Sequence, residues 1–165
     1  MSSPSSSSSS PSETKSIFVT VGTTLFEPLI ESITQSTIIN TILPSHNYTH
    51  LTIQYGKGAV PATTAAVNSL KCTTYDFKPS LENDIQSASL VISHAGAGSV
   101  MEALGAKKKL VVVINSRLMD NHQRELADAM AERGYCICLD GPEELLREEN
   151  WKMIEAFVPN VFPEG

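Results

Sequence analysis

Basic residues are in short supply. The chain of 165 residues has 12 Lys and Arg against 18 Asp and Glu, a formal net charge of −6. A nucleic-acid-binding domain gathers cations on one face to displace phosphate counterions, so no nucleic-acid partner is expected. Cysteine is equally sparse. Cys72, Cys136 and Cys138 are an odd set with no framework spacing, which predicts reduced thiols and a cytosolic setting. Cys136 and Cys138 stand two apart on an expected strand and so share a face, but no further ligand stands near them to complete a metal site. No apolar run approaches the ~20 residues of a spanning helix. Work at a membrane would need something else to hold the chain there.

What the chain does have is alternation. Residues 1–15 are almost all Ser and Pro. They cannot bury enough apolar surface to offset ordering entropy, and a disordered tail is expected. This tail has neither the apolar stretch of a secretory signal nor the arginines of a transit peptide. Residues 16–165 read as one domain with a single core. Short apolar runs predict strands at 16–22, 50–55, 73–77, 90–92, 109–115 and 135–139. Between them, helices are expected from Pro28 through Ile39, over 80–86, 99–104 and 120–133 (stopped by Gly134), and over 142–157. The last has Leu145, Leu146, Met153, Ile154 and Phe157 on its apolar side. The cations Lys107, Lys108 and Lys109 are read as offsetting the dipole of the helix that precedes them. Strands apolar on both faces, alternating with helices, predict a parallel α/β sheet with right-handed crossovers. Such sheets bind ligands at the carboxyl ends of their strands.

The stretch ASLVISHAGAGSVMEALG, residues 88–105, is the centre of this pattern. It joins a buried strand to a helix through a glycine-rich turn over His94–Gly98. Backbone N–H groups at a helix opening lack intrahelical partners and carry the positive end of the dipole, so they bind phosphate readily. Gly96 and Gly98 would let the backbone approach an anion and take positive φ where needed. The same turn would also serve as a plain strand–helix junction. It does not fit a dinucleotide fingerprint, because Met101 stands where the third glycine belongs. Gly22-Thr23-Thr24 forms a second junction of this kind, in which Thr24 could face a ligand or only cap a helix. Ser99-x-x-Glu102 and Asp120-x-x-Gln123 both fit capping boxes. Capping leaves His94, Asn121 and His122 unexplained at the same edge, where they would suit sugar hydroxyls.

FVTVGTT, YDFKPSL, SHAGAGSVMEAL and LMDNHQRELA, in this order and spacing, resemble the catalytic subunits of dolichyl-diphosphate N-acetylglucosamine transferases. More distantly they are similar to the nucleotide-sugar half of the bacterial N-acetylglucosaminyltransferases of murein synthesis. The resemblance spans about residues 16–158. It implies a Rossmann-like parallel sheet flanked by helices, the C-terminal, donor-binding half of a GT-B glycosyltransferase. It also implies UDP-N-acetylglucosamine as donor and N-acetylglucosaminyl-diphosphodolichol as acceptor, at the cytosolic face of the endoplasmic reticulum. Gly96, Ala97, Gly98 and Ser99 would then cradle the diphosphate, and Glu102 would hold the ribose hydroxyls. His122 and Gln123, with Asn121 close by, would read the sugar. Gly22 and Thr23 would form the first phosphate-side turn, and His94 would join the donor site at a position where the bacterial relatives often have a different residue.

The same resemblance assigns the acceptor half to a separate membrane-anchored subunit, with a lipid-linked acceptor. Inverting transfer needs a stabilised leaving group and a deprotonated acceptor hydroxyl. Helix-end donors can do the first. No Asp-x-Asp pair is present to hold a divalent ion, and neither a metal nor another cofactor is expected. No histidine is evidently the base, which is expected on the partner. The chain alone is expected to be nearly inactive; the alternative is a nucleotide-sugar-binding module without chemistry. The C-terminal helix is expected to dock on the partner. Trp151, off the strict apolar stripe, would anchor that interface or else pack onto the sheet.

Overall fold

The computed structural model describes residues 15–62, 70–115 and 121–163; the side chains at 121 and 122 fall outside the described residues. The Ser/Pro-rich tail falls outside them too, except Lys15, which opens the first strand. Six strands form one sheet: β1 Lys15–Thr20, β2 Tyr48–Gln54, β3 Lys71–Tyr75, β4 Leu90–His94, β5 Lys109–Val113 and β6 Ile137–Leu139. Their order is β3-β2-β1-β4-β5-β6 and every pairing is parallel. The helices are α1 Glu27–Ile33, α2 Leu43–Ser45, α3 Glu82–Ser87, α4 Ala97–Gly105, α5 Asn121–Glu132 and α6 Glu148–Ala156.

Alternate residues of each central strand enter opposite apolar layers. Ile17, Val19, Leu90, Ile92, Val111 and Val113 join one layer with α1 and α6. Phe18, Val91, Leu110 and Val112 join the other, against Val100 and Leu104 of α4 and Ala127 and Met130 of α5. Burial on both faces is why these strands read as unbroken apolar runs. The chain builds outward from β1 to β3, then returns to build from β4 to β6. The strand order therefore reverses between β1 and β4, and in sheets of this kind the ligand crevice lies at the carboxyl ends of the strands at that reversal.

Two long helices expected from the sequence are broken. The helix from Pro28 ends at Ile33, where the Thr34 hydroxyl donates to the Ile30 carbonyl at 2.7 Å. Helical structure resumes over residues 36–45 and contains a π-helical turn, Ile38–Ile42, whose three isoleucines are buried. The stretch 142–157 is a 3-10 turn, Pro142–Leu146, then an extended Arg147 (φ −95, ψ 122), then α6. That break resets the helical phase. Trp151 and Ile154 face the core at 0% exposure, while Met153, expected on the apolar side, is 43% exposed. The Trp151 indole N–H donates to the Leu145 carbonyl at 2.7 Å, and its ring meets His46 and Tyr48. Trp151 is therefore a core residue, not the anchor of an interface.

The three-lysine run also differs from expectation, because each ammonium serves a separate element. Lys107 binds the Phe162 carbonyl, Lys108 the Gln86 carbonyl at 2.7 Å, and Lys109 the Ile154 carbonyl at 2.8 Å. Lys109 thus offsets the carboxyl end of α6 rather than that of α4. Gly134, with φ +77, does end α5 as its sequence predicts.

Candidate functional site

At the crevice between β1 and β4 the backbone of the first turn is held from beneath by a buried amide. Gln54, the last residue of β2, is 1% exposed. Its Oε1 accepts from the Thr20 hydroxyl at 2.5 Å, from the Val21 N–H at 3.1 Å and from the Gly22 N–H at 2.9 Å. Its Nε2 donates to the carbonyls of Gly22 and Asp76, each at 2.7 Å. One side chain therefore ties together the chain ends leaving β1, β2 and β3. The Gly22 N–H is committed to this network, so the turn has only its neighbours' donors to offer a ligand. Thr23 is exposed there. Thr24 does not cap α1, whose N-cap is Phe26; its hydroxyl donates to the Val21 carbonyl at 2.8 Å. Sequence reasoning missed Gln54. A lone amide ending the apolar run HLTI was the available signal, but its partners lie 22 to 34 residues away.

Across the crevice, His94 ends β4. Its ring fills the space that two glycines leave open. A Cβ at Gly22 would stand 2.8 Å from His94 Nε2, and one at Gly96 would stand 2.2 Å from His94 Cε1. Gly22 also needs to be glycine for its backbone, with φ +62. Gly96 does not: its φ is −79, in the extended region, and the imidazole alone excludes a side chain. Burial pushes the His94 pKa down to about 4, so the ring is neutral at neutral pH. His94 Nε2 lies 3.2 Å from Ser99 Oγ.

The helix opening that follows carries no side-chain cap and no acidic residue in its first turn. Its N-cap is Gly96, so Ala97, Gly98 and Ser99 occupy the first turn and Ser99-x-x-Glu102 is not a capping box. The spacing fits a box, but the helix starts earlier and the Ser99 hydroxyl turns to His94. The Val100 N–H bonds to the Gly96 carbonyl at 3.0 Å, closing the first turn. Gly98 has positive φ no more than Gly96 does, and a Cβ added to it would meet nothing within 4 Å. Open space therefore flanks Gly98 in the first turn of an uncapped helix, and such an amino end suits an anion.

Glu102 follows on the exposed side of α4. It lines an open cleft of 250 Å³ with Glu82, Ile85, Gln86, Gly105 and Ala106, between α3 and α4. Helix α5 packs beside α4 and begins at Asn121, after the end of β5. Gln123 is half-buried in its first turn, whereas the side chains of Asn121 and His122, and Asp120 with its expected capping box, lie outside the described residues. The openings of α4 and α5 thus stand on the same edge of the sheet as Gly22 and Thr23. The remaining histidines stand at the other edge. His50 pairs in register with Ser16 and Lys71 where the strands begin, and His46 Nε2 lies 2.7 Å from Glu148. Among the described residues, no three His, Cys, Asp or Glu side chains converge as a metal site would require.

Strand order and its reversal between β1 and β4 give the parallel α/β fold of the C-terminal domain of GT-B glycosyltransferases. Comparison with known proteins agrees. Residues 16–147 match the glycosyltransferase family 28 C-terminal domain, and the chain belongs to that family. It is 46% identical over 127 residues to the mouse and human proteins named UDP-N-acetylglucosamine transferase subunit ALG13. That match covers 75% of this chain and 11% of either relative. The like-named Yarrowia lipolytica protein is 37% identical over 123 residues, covering 73% of this chain and 62% of the relative. This chain therefore spans about a ninth of the mammalian relatives and under two thirds of the yeast one. Among solved structures, the solution structure of ALG13 aligns with TM-score 0.66 and 26% identity, covering 89% of each chain. Acinetobacter baumannii MurG shares the fold, with TM-score 0.66 and 22% identity over 86% of this chain and 42% of that one.

Proposed function

We propose that this chain binds UDP-N-acetylglucosamine and, with a membrane-anchored subunit carrying the acceptor half, transfers N-acetylglucosamine to N-acetylglucosaminyl-diphosphodolichol. The setting proposed is the cytosolic face of the endoplasmic reticulum, with the chain held there through its partner. Among the described residues no helix is long and apolar enough to cross a membrane, so such a role needs an anchor from elsewhere. The observation that carries the reading is the uncapped opening of α4 with open space beside Gly98, in a chain similar to proteins named UDP-N-acetylglucosamine transferase subunit.

In this reading the backbone N–H groups of Ala97, Gly98 and Ser99 hold the diphosphate, and Glu102 accepts from the ribose hydroxyls. Asn121, His122 and Gln123 meet the sugar. No metal or other cofactor takes part; the helix opening supplies the positive potential. The acceptor hydroxyl oxygen attacks the anomeric carbon while the bond from that carbon to the diphosphate oxygen breaks, its electron pair staying on UDP. The hydroxyl proton passes to a base on the partner. His46 and His50 stand at the wrong edge to take it, and a buried, neutral His94 with so low a pKa is a weak base.

The test is transfer from UDP-N-acetylglucosamine to a lipid-diphosphate acceptor, with the chain alone, the partner alone and both together. Turnover only in the mixture, reduced at least tenfold by Glu102→Ala or Gln123→Ala, supports the reading. Brisk turnover by the chain alone contradicts the division of labour. Donor binding without transfer in any mixture favours a nucleotide-sugar-binding module instead.

A further inference from the structure

The donor-site reading leaves a charge problem. A nucleoside diphosphate brings about two negative charges to a chain whose own net charge is −6. A helix opening offers only about half a positive charge. The described loops leaving the carboxyl ends of the strands contain two lysines. Lys78, after β3, is engaged: its ammonium is 3.1 Å from Asp84 and lies over the Tyr75 ring. Lys57, after β2, is exposed and its ammonium has no partner among the described residues.

The backbone at Lys57 is fixed against the crevice. Its N–H donates to the Thr24 carbonyl at 3.4 Å. Gly56 just before it has φ +67, and a Cβ there would stand 2.6 Å from the Thr24 carbonyl oxygen and 3.3 Å from that of Gly22. The Gly56-Lys57 turn therefore lies directly on the Gly22–Thr24 turn. Gly22 in turn abuts His94 Nε2 and Ser99 Oγ, where a Cβ would come within 2.8 and 3.4 Å. An unbroken series of contacts thus links the Lys57 backbone to the first turn of α4. A flexible four-carbon stem carries the Lys57 ammonium well beyond this turn. The other described cations near the sheet are bound to carbonyls or carboxylates, or stand at its opposite edge: Lys15, Lys107, Lys108, Lys109 and Arg124 are bound, and Lys71 begins β3.

We propose that Lys57 is a cation of the donor site: its ammonium pairs with the diphosphate held at the opening of α4 and with the charge that grows there as the sugar departs. This rests on the donor-site reading above, and the experiment separates the two. UDP-N-acetylglucosamine, UDP and UMP are titrated into the full chain carrying Lys57, Lys57→Arg, Lys57→Ala, Lys57→Glu or Glu102→Ala. For the wild-type residue and Lys57→Arg, similar affinities are expected. Lys57→Ala should weaken UDP and UDP-N-acetylglucosamine about tenfold and Lys57→Glu further, with a smaller loss for UMP. The salt dependence of the Lys57→Ala affinity should flatten, since one screened attraction is gone. Thermal unfolding should be unchanged, because the ammonium holds nothing in the fold.

If Lys57→Glu binds UDP-N-acetylglucosamine within twofold of the unaltered chain while Glu102→Ala does not, Lys57 is not a cation of that site and the donor site stands. If Lys57→Ala weakens UMP as much as UDP, the assignment to the diphosphate is wrong. A wild-type chain that binds none of the three ligands overturns the donor-site reading and this assignment with it.

Discussion

The imidazole of His94 stands where a side chain at Gly22 would be, with Nε2 2.8 Å from the position of a Gly22 Cβ. Gly22 follows β1 and His94 ends the neighbouring β4, so the two meet where the strand order reverses. Gly22→Ala would therefore meet two penalties, the left-handed φ of +62 and the ring. A loss of about 1–3 kcal/mol is expected on denaturant unfolding. Combining it with His94→Ala should recover only the steric part, giving a coupling of about 1 kcal/mol in a double-mutant cycle. Strictly additive losses would show that the two do not share this space.

His94 also predicts a pH dependence. In the unfolded chain it titrates near ~6.5. In the folded chain burial lowers it to about 4. Between these values the unfolded state holds more protons, so stability rises with pH across the window. The contribution of neutral His94 is complete above pH ~6.5 and is lost as pH falls toward 4, on the order of 3 kcal/mol in total. Urea unfolding at several pH values should show this slope, and His94→Gln should remove most of it. An unchanged slope in His94→Gln would assign it to other groups.

Gly98 separates the needs of the fold from those of a ligand. It lies in the first turn of α4 with open space where a Cβ would be. Alanine is the better helix former, so Gly98→Ala should stabilise the chain by about 0.5–1 kcal/mol. The added methyl should at the same time obstruct a diphosphate and weaken UDP-N-acetylglucosamine binding several-fold. Stabilisation with unaltered affinity would mean that no ligand approaches there.

Gln54 should behave as a suture. Gln54→Leu strands the Thr20 hydroxyl and weakens the bonding of the Val21 and Gly22 N–H groups, for an expected loss above about 2 kcal/mol. Gln54→Glu keeps the acceptor but cannot donate to the Gly22 and Asp76 carbonyls 2.7 Å away. It should be destabilised as well, and both variants should bind donor less tightly through a misplaced Gly22–Thr24 turn. Wild-type stability in Gln54→Glu would show that the two donated bonds contribute little.

These residues also show how far the sequence could be read. KLVVV and LVISH are strands on their face, because central parallel strands need apolar residues on both sides. The glycine turn at 94–98 was legible as a helix opening because strand, turn and helix are adjacent in the chain. The reason for Gly96 was not legible: it depends on a ring two residues away whose direction only the folded crevice sets. Ser99-x-x-Glu102 satisfies a capping pattern, yet the helix begins at Ala97 with Gly96 as its cap. The role of Gln54 was not legible because its partners come from two other chain ends, 22 to 34 residues away. For Trp151 the sequence leaves two readings open, anchor or packing, and the fold selects packing: the helix breaks at Arg147 and the indole is buried.

The most direct test of the donor site is amide chemical-shift mapping of the chain during titration with UDP-N-acetylglucosamine. Saturable shifts are predicted at Gly96 to Ser99, at Glu102 and through Asn121 to Gln123, with little change at the amino edge around Lys15, His46 and His50. No saturable shift, or shifts gathered at that opposite edge, would contradict the account.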